Sequence, residues 1–276
     1  MSSDDTTDLR FRRRTMLRTA GAALTSGLVL GGATGVGGAQ ETYRLVQDGN
    51  CTPLVPLQGQ LPVDYLYNYN DVGTDFSAAG PILPLQASKT SRLFLYTDPD
   101  GVTSLVILHG EYQPENGEQA GGAASFAIEG LPEDGEWVVK DDEYSLNAPD
   151  PEAAAANTTT ATDTADRNAT APPVDAEAAE TATAGNITNL DQWDVDGSRS
   201  IVHWTWGPNS TDGGVYSPVN DASITIRPWF NRQAVLYGAK YKGTVDEWQA
   251  LTGDIDDPEI ISLDMSAPIT IEPGSC

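Results

Sequence analysis

SRLFLYTDPDGVTSLVILHG, residues 91–110, is the stretch that decides the fold. Residues 93–96 are apolar and strand-prone, and Asp98-Pro99-Asp100-Gly101 follows with turn residues, because proline presets φ and glycine accepts a positive φ. Residues 102–109 then have the composition of a returning strand, so the stretch predicts a β-hairpin. Two further strand-like runs follow, at 123–128 and 136–140. In the second run, Trp137 and Val139 are expected to share one face.

The same strand signals extend towards the N-terminus of the hairpin. Prolines interrupt the short apolar runs between residues 53 and 62, which favours edge strands over central ones. Tyr65, Tyr67 and Tyr69 alternate along the sequence and are expected to share a face of one strand.

Strand signals also resume after residue 189. Val202, Trp204 and Trp206 alternate with polar or smaller residues in the run 200–206, and turn residues follow at 208–209 and 212–214. Residues 222–226 predict a strand that ends before Pro228, and 260–263 and 269–271 predict two more. Residues 244–247, TVDE, resemble a helical capping box, although EWQALTG after them is nearly as good a strand.

Between these two groups of strands lies a stretch of a different character. Residues 145–189 contain no aromatic residue and are rich in Ala, Thr, Asp, Glu and Pro, so they bury too little apolar area to offset the entropy of ordering. The pattern predicts an all-β protein, an antiparallel β-sandwich of Ig-like or jelly-roll-like type with a long disordered insertion. The alternative is two small domains joined by a linker. The predicted segments are a signal peptide at 1–39, sandwich parts at 40–147 and 190–276, and an acidic spacer at 148–189.

The N-terminus has the pattern of a twin-arginine export signal. Residues 12–18, RRRTMLR, combine paired arginines with an apolar pair and a further base, and a Gly/Ala-rich, weakly apolar region leads to small residues at 37–39. That region is too weakly apolar for a stable membrane-spanning helix. We therefore predict a secreted or cell-surface protein without a transmembrane anchor, which contacts the twin-arginine translocase during export.

Charge indicates a high-salt habitat. The first 39 residues hold five basic and three acidic residues, so the remainder carries 10 basic and 37 acidic residues, a net formal charge of −27. In low salt such a charge repels itself, whereas at about 1 M salt the Debye length is only ~3 Å and the repulsion is largely screened. The acidity argues against binding of nucleic acid or an anionic membrane.

Two cysteines and a set of glycosylation sequons are the clearest covalent features. An even cysteine count in an exported chain favours a Cys51–Cys276 disulfide, with two free thiols as the alternative. Asn-x-Thr sequons in an exported chain mark glycosylation acceptors on accessible loops. The predicted acceptors are Asn157, Asn168, Asn186 and Asn209.

Catalytic motifs are absent from the sequence. It contains no GxSxG, HExxH, P-loop or CxxC, and two histidines are too few for a multi-histidine zinc site. Acidic turns after strands could hold a cation such as Ca²⁺, and Asp141, Asp142 and Asp212 are the candidate ligands; ordinary turn residues on an acidic surface are the alternative. Trp204 and Trp206 could form a sugar-stacking platform if exposed, or belong to the core.

One run resembles a known class of module. SFAIEGLPEDGEWVVKDD, residues 125–142, resembles the strand–GLPxxGxWxV–strand feature of Ig-like and related β-sandwich modules in secreted surface proteins. The whole chain resembles twin-arginine-exported surface proteins of haloarchaea, a resemblance that implies no activity and no site residues. The predicted function is a non-catalytic binding or structural module, without a cofactor, whose partner is a cell-surface layer or a glycan. The alternative is a secreted, polysaccharide-acting hydrolase with a carboxylate site.

Overall fold

A computed structural model describes residues 42–71, 76–114, 119–141, 191–231 and 243–276. Within this part the chain forms sixteen strands, one five-residue α-helix and one 3₁₀ turn at Leu83–Leu85. The strands and the helix are β1 (Tyr43–Gln47), β2 (Asn50–Leu54), β3 (Leu57–Gln58), α1 (Val63–Tyr67), β4 (Tyr69–Asp71), β5 (Phe76–Ala78), β6 (Thr90–Thr97), β7 (Thr103–Gly110), β8 (Gly122–Glu129), β9 (Glu136–Lys140), β10 (Gln192–Asp196), β11 (Arg199–Trp206), β12 (Thr211–Ser217), β13 (Ile224–Phe230), β14 (Glu247–Asp254), β15 (Asp257–Leu263) and β16 (Ile269–Pro273).

Two large sheets pack face to face, which confirms the predicted β-sandwich. Sheet A has the order β10-β11-β8-β13-β16-β1-β2, and sheet B has the order β15-β14-β6-β7-β12-β9. Pairing is antiparallel except where β6 meets β14 and β3. Each sheet contains strands from before residue 142 and strands from after residue 190, so both parts of the chain build one sandwich.

The predicted hairpin is confirmed at the centre of sheet B. β6 and β7 pair in register from Ser91 opposite His109 to Thr97 opposite Thr103. In the turn, the Asp98 carboxylate accepts the backbone N–H groups of Asp100 and Val102, both at 2.9 Å. Gly101 has φ +82°, which is the left-handed conformation that the turn requires of this position.

Hydrophobic residues form two layers, one on each face of sheet B. The main core lies between the two sheets, and Phe126, Trp204 and Trp248 are its largest fully buried side chains. The second cluster lies on the opposite face of sheet B, where β3, α1 and the 3₁₀ turn cover the strands. β7 contributes side chains to both layers, because successive residues of a strand point to opposite faces of the sheet: Ile107 belongs to the main core and Val106 to the second cluster.

A β-bulge at β9 overturns the prediction that Trp137 and Val139 share a face. Trp137 lies in the main core, whereas Val139 lies in the second cluster. The register against β12 shifts between Val215 and Tyr216, so that Val138 is the extra residue and is exposed. An inserted residue re-aims the following side chain, and simple alternation cannot predict this.

The tyrosine run 65–69 does not form the predicted strand. Pro62 precedes α1, which buries Val63, Leu66 and Tyr67 at helical spacing, while Tyr65 is exposed. Asn68 ends the helix with φ +46°, and its N–H donates to the Asp64 carbonyl at 2.8 Å.

The turn prediction for residues 212–214 is also wrong, because these residues lie inside β12. A Cβ at Gly213 would stand 2.0 Å from the carbonyl oxygen of Ile107, and one at Gly214 would stand 3.0 Å from the Trp193 ring. These glycines are therefore required for close approach of neighbouring groups and not for a turn.

Two strand boundaries differ from the predictions towards the C-terminus. β13 continues through Pro228, because beyond Ile226 its pairing within the described ranges is with β8 on one side only, and a residue without an N–H is tolerated there. The capping-box alternative at 244–247 is wrong, since Glu247 begins β14 and Trp248 is buried in the main core. The predicted strands at 260–263 and 269–271 are confirmed as parts of β15 and β16.

Candidate functional site

The predicted disulfide is confirmed. Cys51 and Cys276 are bonded with an S–S distance of 2.08 Å and a Cα–Cα distance of 5.7 Å. Cys51 lies in β2, the last strand of sheet A, and Cys276 follows β16 two strands away. Both cysteines are exposed, and the bridge links residues 225 positions apart.

Two of the three candidate cation ligands, Asp141 and Asp212, lie in the described part of the chain. Asp141 is fully buried and accepts the Tyr67 hydroxyl at 2.7 Å, on the sheet face that α1 covers. Asp212 is also fully buried; it lies directly opposite His109, and its Oδ1 accepts the Gly213 N–H at 2.7 Å.

The flanking residue Thr211 shows which face Asp212 takes. The Thr211 hydroxyl accepts the Ala78 N–H on the α1 side, so alternation directs Asp212 towards sheet A, away from Asp141. Asp142 lies outside the described residues. In the described ranges no group of three or more His, Cys, Asp or Glu side chains could hold a metal ion. The geometry of Asp141 and Asp212 thus gives the calcium prediction no support.

The tryptophans that could have formed a sugar platform belong to the core. Trp204 is 0% exposed and Trp206 is 2% exposed. The Trp204 ring contacts Trp193 and Trp137 edge-on, with centroids 5.6 and 6.5 Å apart, and its Nε1–H donates to the Gly213 carbonyl at 2.9 Å. Trp229 is half-buried in β13. The interior position of Trp204 and Trp206 follows from their large apolar area and the alternation of β11.

Both histidines are buried and held neutral near pH 7. His109 stacks on Trp206 with centroids 5.2 Å apart, and burial lowers its pKa from 6.5 to about 3. Burial also lowers the pKa of His203, to about 4, which the Asp194 carboxylate partly offsets. Desolvation penalises the charged imidazolium in both places.

One hydroxyl–imidazole contact has the geometry of a nucleophile and its base. The Ser125 hydroxyl and His203 Nδ1 lie 2.7 Å apart, and Ser125 is 0% exposed while His203 is 5% exposed. A substrate carbonyl must approach within contact distance of the nucleophilic oxygen. The arrangement is therefore closed to substrate, and it satisfies two buried polar groups instead.

One of the four predicted glycosylation acceptors, Asn209, lies in the described part of the chain. Asn157, Asn168 and Asn186 lie outside the described ranges, and so does the predicted spacer at 148–189. Asn209 is half-buried in the turn between β11 and β12. A fifth sequon, Asn50-Cys51-Thr52, is not among the predicted acceptors, although the same Asn-x-Thr triplet identifies it in the sequence.

No protein-family model, no curated protein and no solved structure matches the chain. Among the described residues, no helix has both the length and the apolar character needed to cross a membrane.

Proposed function

We propose that this chain is an exported, non-catalytic binding or structural module that works outside the cell, in high salt. The observation that carries the proposal is the burial of the side chains that chemistry or sugar stacking would use. Trp204, Trp206, His109 and Ser125 are each at most 2% exposed. Their burial favours a role in which the sandwich presents a surface or a scaffold.

The location is inferred from two independent features. The twin-arginine pattern at residues 12–18 directs export, and the exposed Cys51–Cys276 bridge is typical of oxidising compartments. The acidic balance of the chain after residue 39 fits a molar-salt environment. A cell-surface layer is the proposed partner, because burial of Trp204 and Trp206 removes the stacking platform that a glycan would use.

Export and the absence of catalysis are tested separately. Arg13→Lys combined with Arg14→Lys should retain the protein inside the cell, whereas Arg12→Lys, which leaves the pair 13–14 intact, should not. The secreted protein is then screened in molar KCl for glycan binding and for hydrolysis of polysaccharides. Turnover that survives purification and disappears on substitution of a single carboxylate would overturn the non-catalytic role. Export of the Arg13→Lys/Arg14→Lys protein would overturn the twin-arginine route.

A further inference from the structure

Two sequons lie in the described part of the chain, and they differ in their accessibility to solvent. Asn50-Cys51-Thr52 lies at the start of β2, and Asn209-Ser210-Thr211 leads into β12. A glycosyltransferase must reach both the asparagine amide and the hydroxyl two residues later, since both define the sequon. Their accessibility in the folded chain therefore decides which sequon can be used after folding.

The sequon at Asn209 is closed by packing. Thr211 is 0% exposed, and its hydroxyl accepts the Ala78 N–H at 3.0 Å. Asn209 Oδ1 accepts the Gln119 N–H at 2.9 Å, and the Asn209 N–H donates to the Gln119 carbonyl at 3.2 Å. Ser210 between them is only 7% exposed. Asn209 thus serves as a structural clamp on the 119 segment, and the transferase has no path to the hydroxyl of Thr211.

The sequon at Asn50 is open. A tight turn at Asp48-Gly49, with φ +50° and +77°, joins β1 to β2 and leaves Asn50 exposed at the tip of the hairpin. Cys51 is exposed and Thr52 is partly exposed. β2 is the last strand in the order of sheet A, so among the described residues no further strand of that sheet pairs with its outer side.

We propose that Asn50 is an N-glycosylation site of the folded, exported protein, and that Asn209 is left unmodified. This inference rests on the proposed export, because the donor sugar is met outside the cytoplasm and the twin-arginine route delivers chains that have already folded. The donor is an oligosaccharide carried on a polyisoprenyl phosphate. Asn50 Nδ2 forms a bond to the anomeric carbon, the bond from that carbon to the phosphate oxygen breaks, and the lipid phosphate leaves with the electron pair while the amide loses one proton.

A glycan at this position would protect a vulnerable part of the fold. Unpaired strand edges are templates for association with other chains, and bulky or charged groups block them. The Asn50 glycan would stand at the β2 edge, next to the exposed Cys51–Cys276 bridge. The glycan is therefore expected to shield both the edge and the disulfide from partners and reductants.

Peptide mass spectrometry tests the proposal on the full chain. The chain is produced with its own signal in a salt-loving host that N-glycosylates exported proteins, with a reporter sequon on a flexible tail after Cys276. We expect a glycan mass on the peptide that contains Asn50 and none on the peptide that contains Asn209. The mass should vanish in Asn50→Gln and Thr52→Ala and persist in Thr52→Ser, which keeps the hydroxyl.

The outcomes separate this inference from the proposed function. A bare Asn50 in exported protein whose reporter sequon is glycosylated would overturn the Asn50 site. A glycan on Asn209 would overturn the claim that packing closes that sequon. Protein that never leaves the cytoplasm would contradict the proposed export and not the accessibility argument.

Discussion

At the scale of a single residue, His109 is a polar side chain buried in the main core. Its ring is fully buried, with Phe126, Trp204 and Trp206 around it, and neither ring nitrogen bonds a described residue. Its cross-strand neighbour on β12 is Asp212. Such a site holds the neutral imidazole, because the charged form would lose its hydration without a compensating hydrogen bond to the described residues.

The lowered pKa of His109 predicts a specific loss of stability in acid. The pKa is about 3 when folded and near 6.5 when unfolded, so the unfolded chain takes up the proton first as the pH falls below 6.5. The free energy of unfolding should therefore fall between pH 6.5 and about pH 3. Between about pH 7 and about pH 5 this one histidine contributes a loss of about 2 kcal/mol. Substitution His109→Phe should remove that loss.

The measurement is denaturant unfolding in molar KCl at both pH values. Carboxylates also titrate in acid, so the decisive quantity is the difference between the parent protein and His109→Phe in the loss from pH 7 to pH 5. Above pH 7 the two proteins should show parallel pH profiles, which serves as the control. Equal acid losses in both proteins would show that His109 is not desolvated as described.

At the scale of elements, β12 depends on glycine for its fit between neighbours. Gly213→Ala would bring a methyl group to 2.0 Å from the Ile107 carbonyl oxygen, and a backbone atom cannot yield as a flexible side chain can. We expect a loss of about 3 kcal/mol or more in the free energy of unfolding. Thermal unfolding followed by circular dichroism would measure it.

Gly207→Ala is the matched control for this prediction. It lies in the turn before β12, and its nearest contact for an added Cβ is the Ser210 hydroxyl at 3.8 Å, which is an ordinary van der Waals distance. Its stability should stay within about 0.5 kcal/mol of the parent protein. If both variants unfold at similar temperatures, the close approach of β12 to β7 does not require glycine at position 213.

The elements predicted from sequence are those whose signals are local. The 91–110 hairpin, the alternation of β11 and the sandwich class follow from apolar period and turn residues alone. The sequence does not predict the helix at 63–67, because its three buried side chains gain their partners from sheet B and the tyrosine spacing suits a strand equally well. Gly213-Gly214 imitates a turn signal, and only the neighbouring strands reveal its purpose.

The candidate site likewise contains one feature that the sequence predicts and others that depend on contacts between remote residues. The Cys51–Cys276 pair was predictable, because an even count in an exported chain leaves one pairing. The positions of Asp141 and Asp212 after strand-like runs suggest one site, but the faces that they occupy depend on the β9–β12 register, which spacing in sequence does not encode. Closure of the Asn209 sequon likewise depends on contacts with Ala78 and Gln119, which are remote in sequence.

For the whole molecule, charge repulsion should set the response to salt. The hairpin between β14 and β15 exposes Asp256, Asp257 and Glu259 within four residues. Replacing them with Asn, Asn and Gln should raise the free energy of unfolding in low salt by about 1 kcal/mol. The gain should disappear in molar KCl, where the Debye length is ~3 Å. Denaturant titrations across a KCl series would measure both limits.

Glu272→Gln is the contrasting variant in that series. Glu272 accepts from Arg44 Nε at 2.9 Å, so its removal breaks an attractive pair and should not stabilise the protein at any salt concentration. Self-repulsion would be contradicted as the source of the salt response by either of two results. One is a triple variant that gains no stability in low salt, as expected for Glu272→Gln, and the other is a triple variant that keeps its higher free energy of unfolding in molar KCl.

The Cys51–Cys276 bridge acts on the whole chain although it lies on one edge strand. β1 already pairs with both β2 and β16, so the folded state needs the bridge little. In the unfolded state the same bond joins residues 225 positions apart, and the lost chain entropy corresponds to about 5 kcal/mol of stabilisation.

The variant Cys51→Ser/Cys276→Ser should therefore keep the folded protein's circular-dichroism spectrum. Guanidinium unfolding in molar KCl should show a loss approaching that value. Reductant should destabilise the parent protein by the same amount and leave the variant unchanged. A loss below about 1 kcal/mol would contradict a stabilisation that acts through the entropy of the unfolded chain.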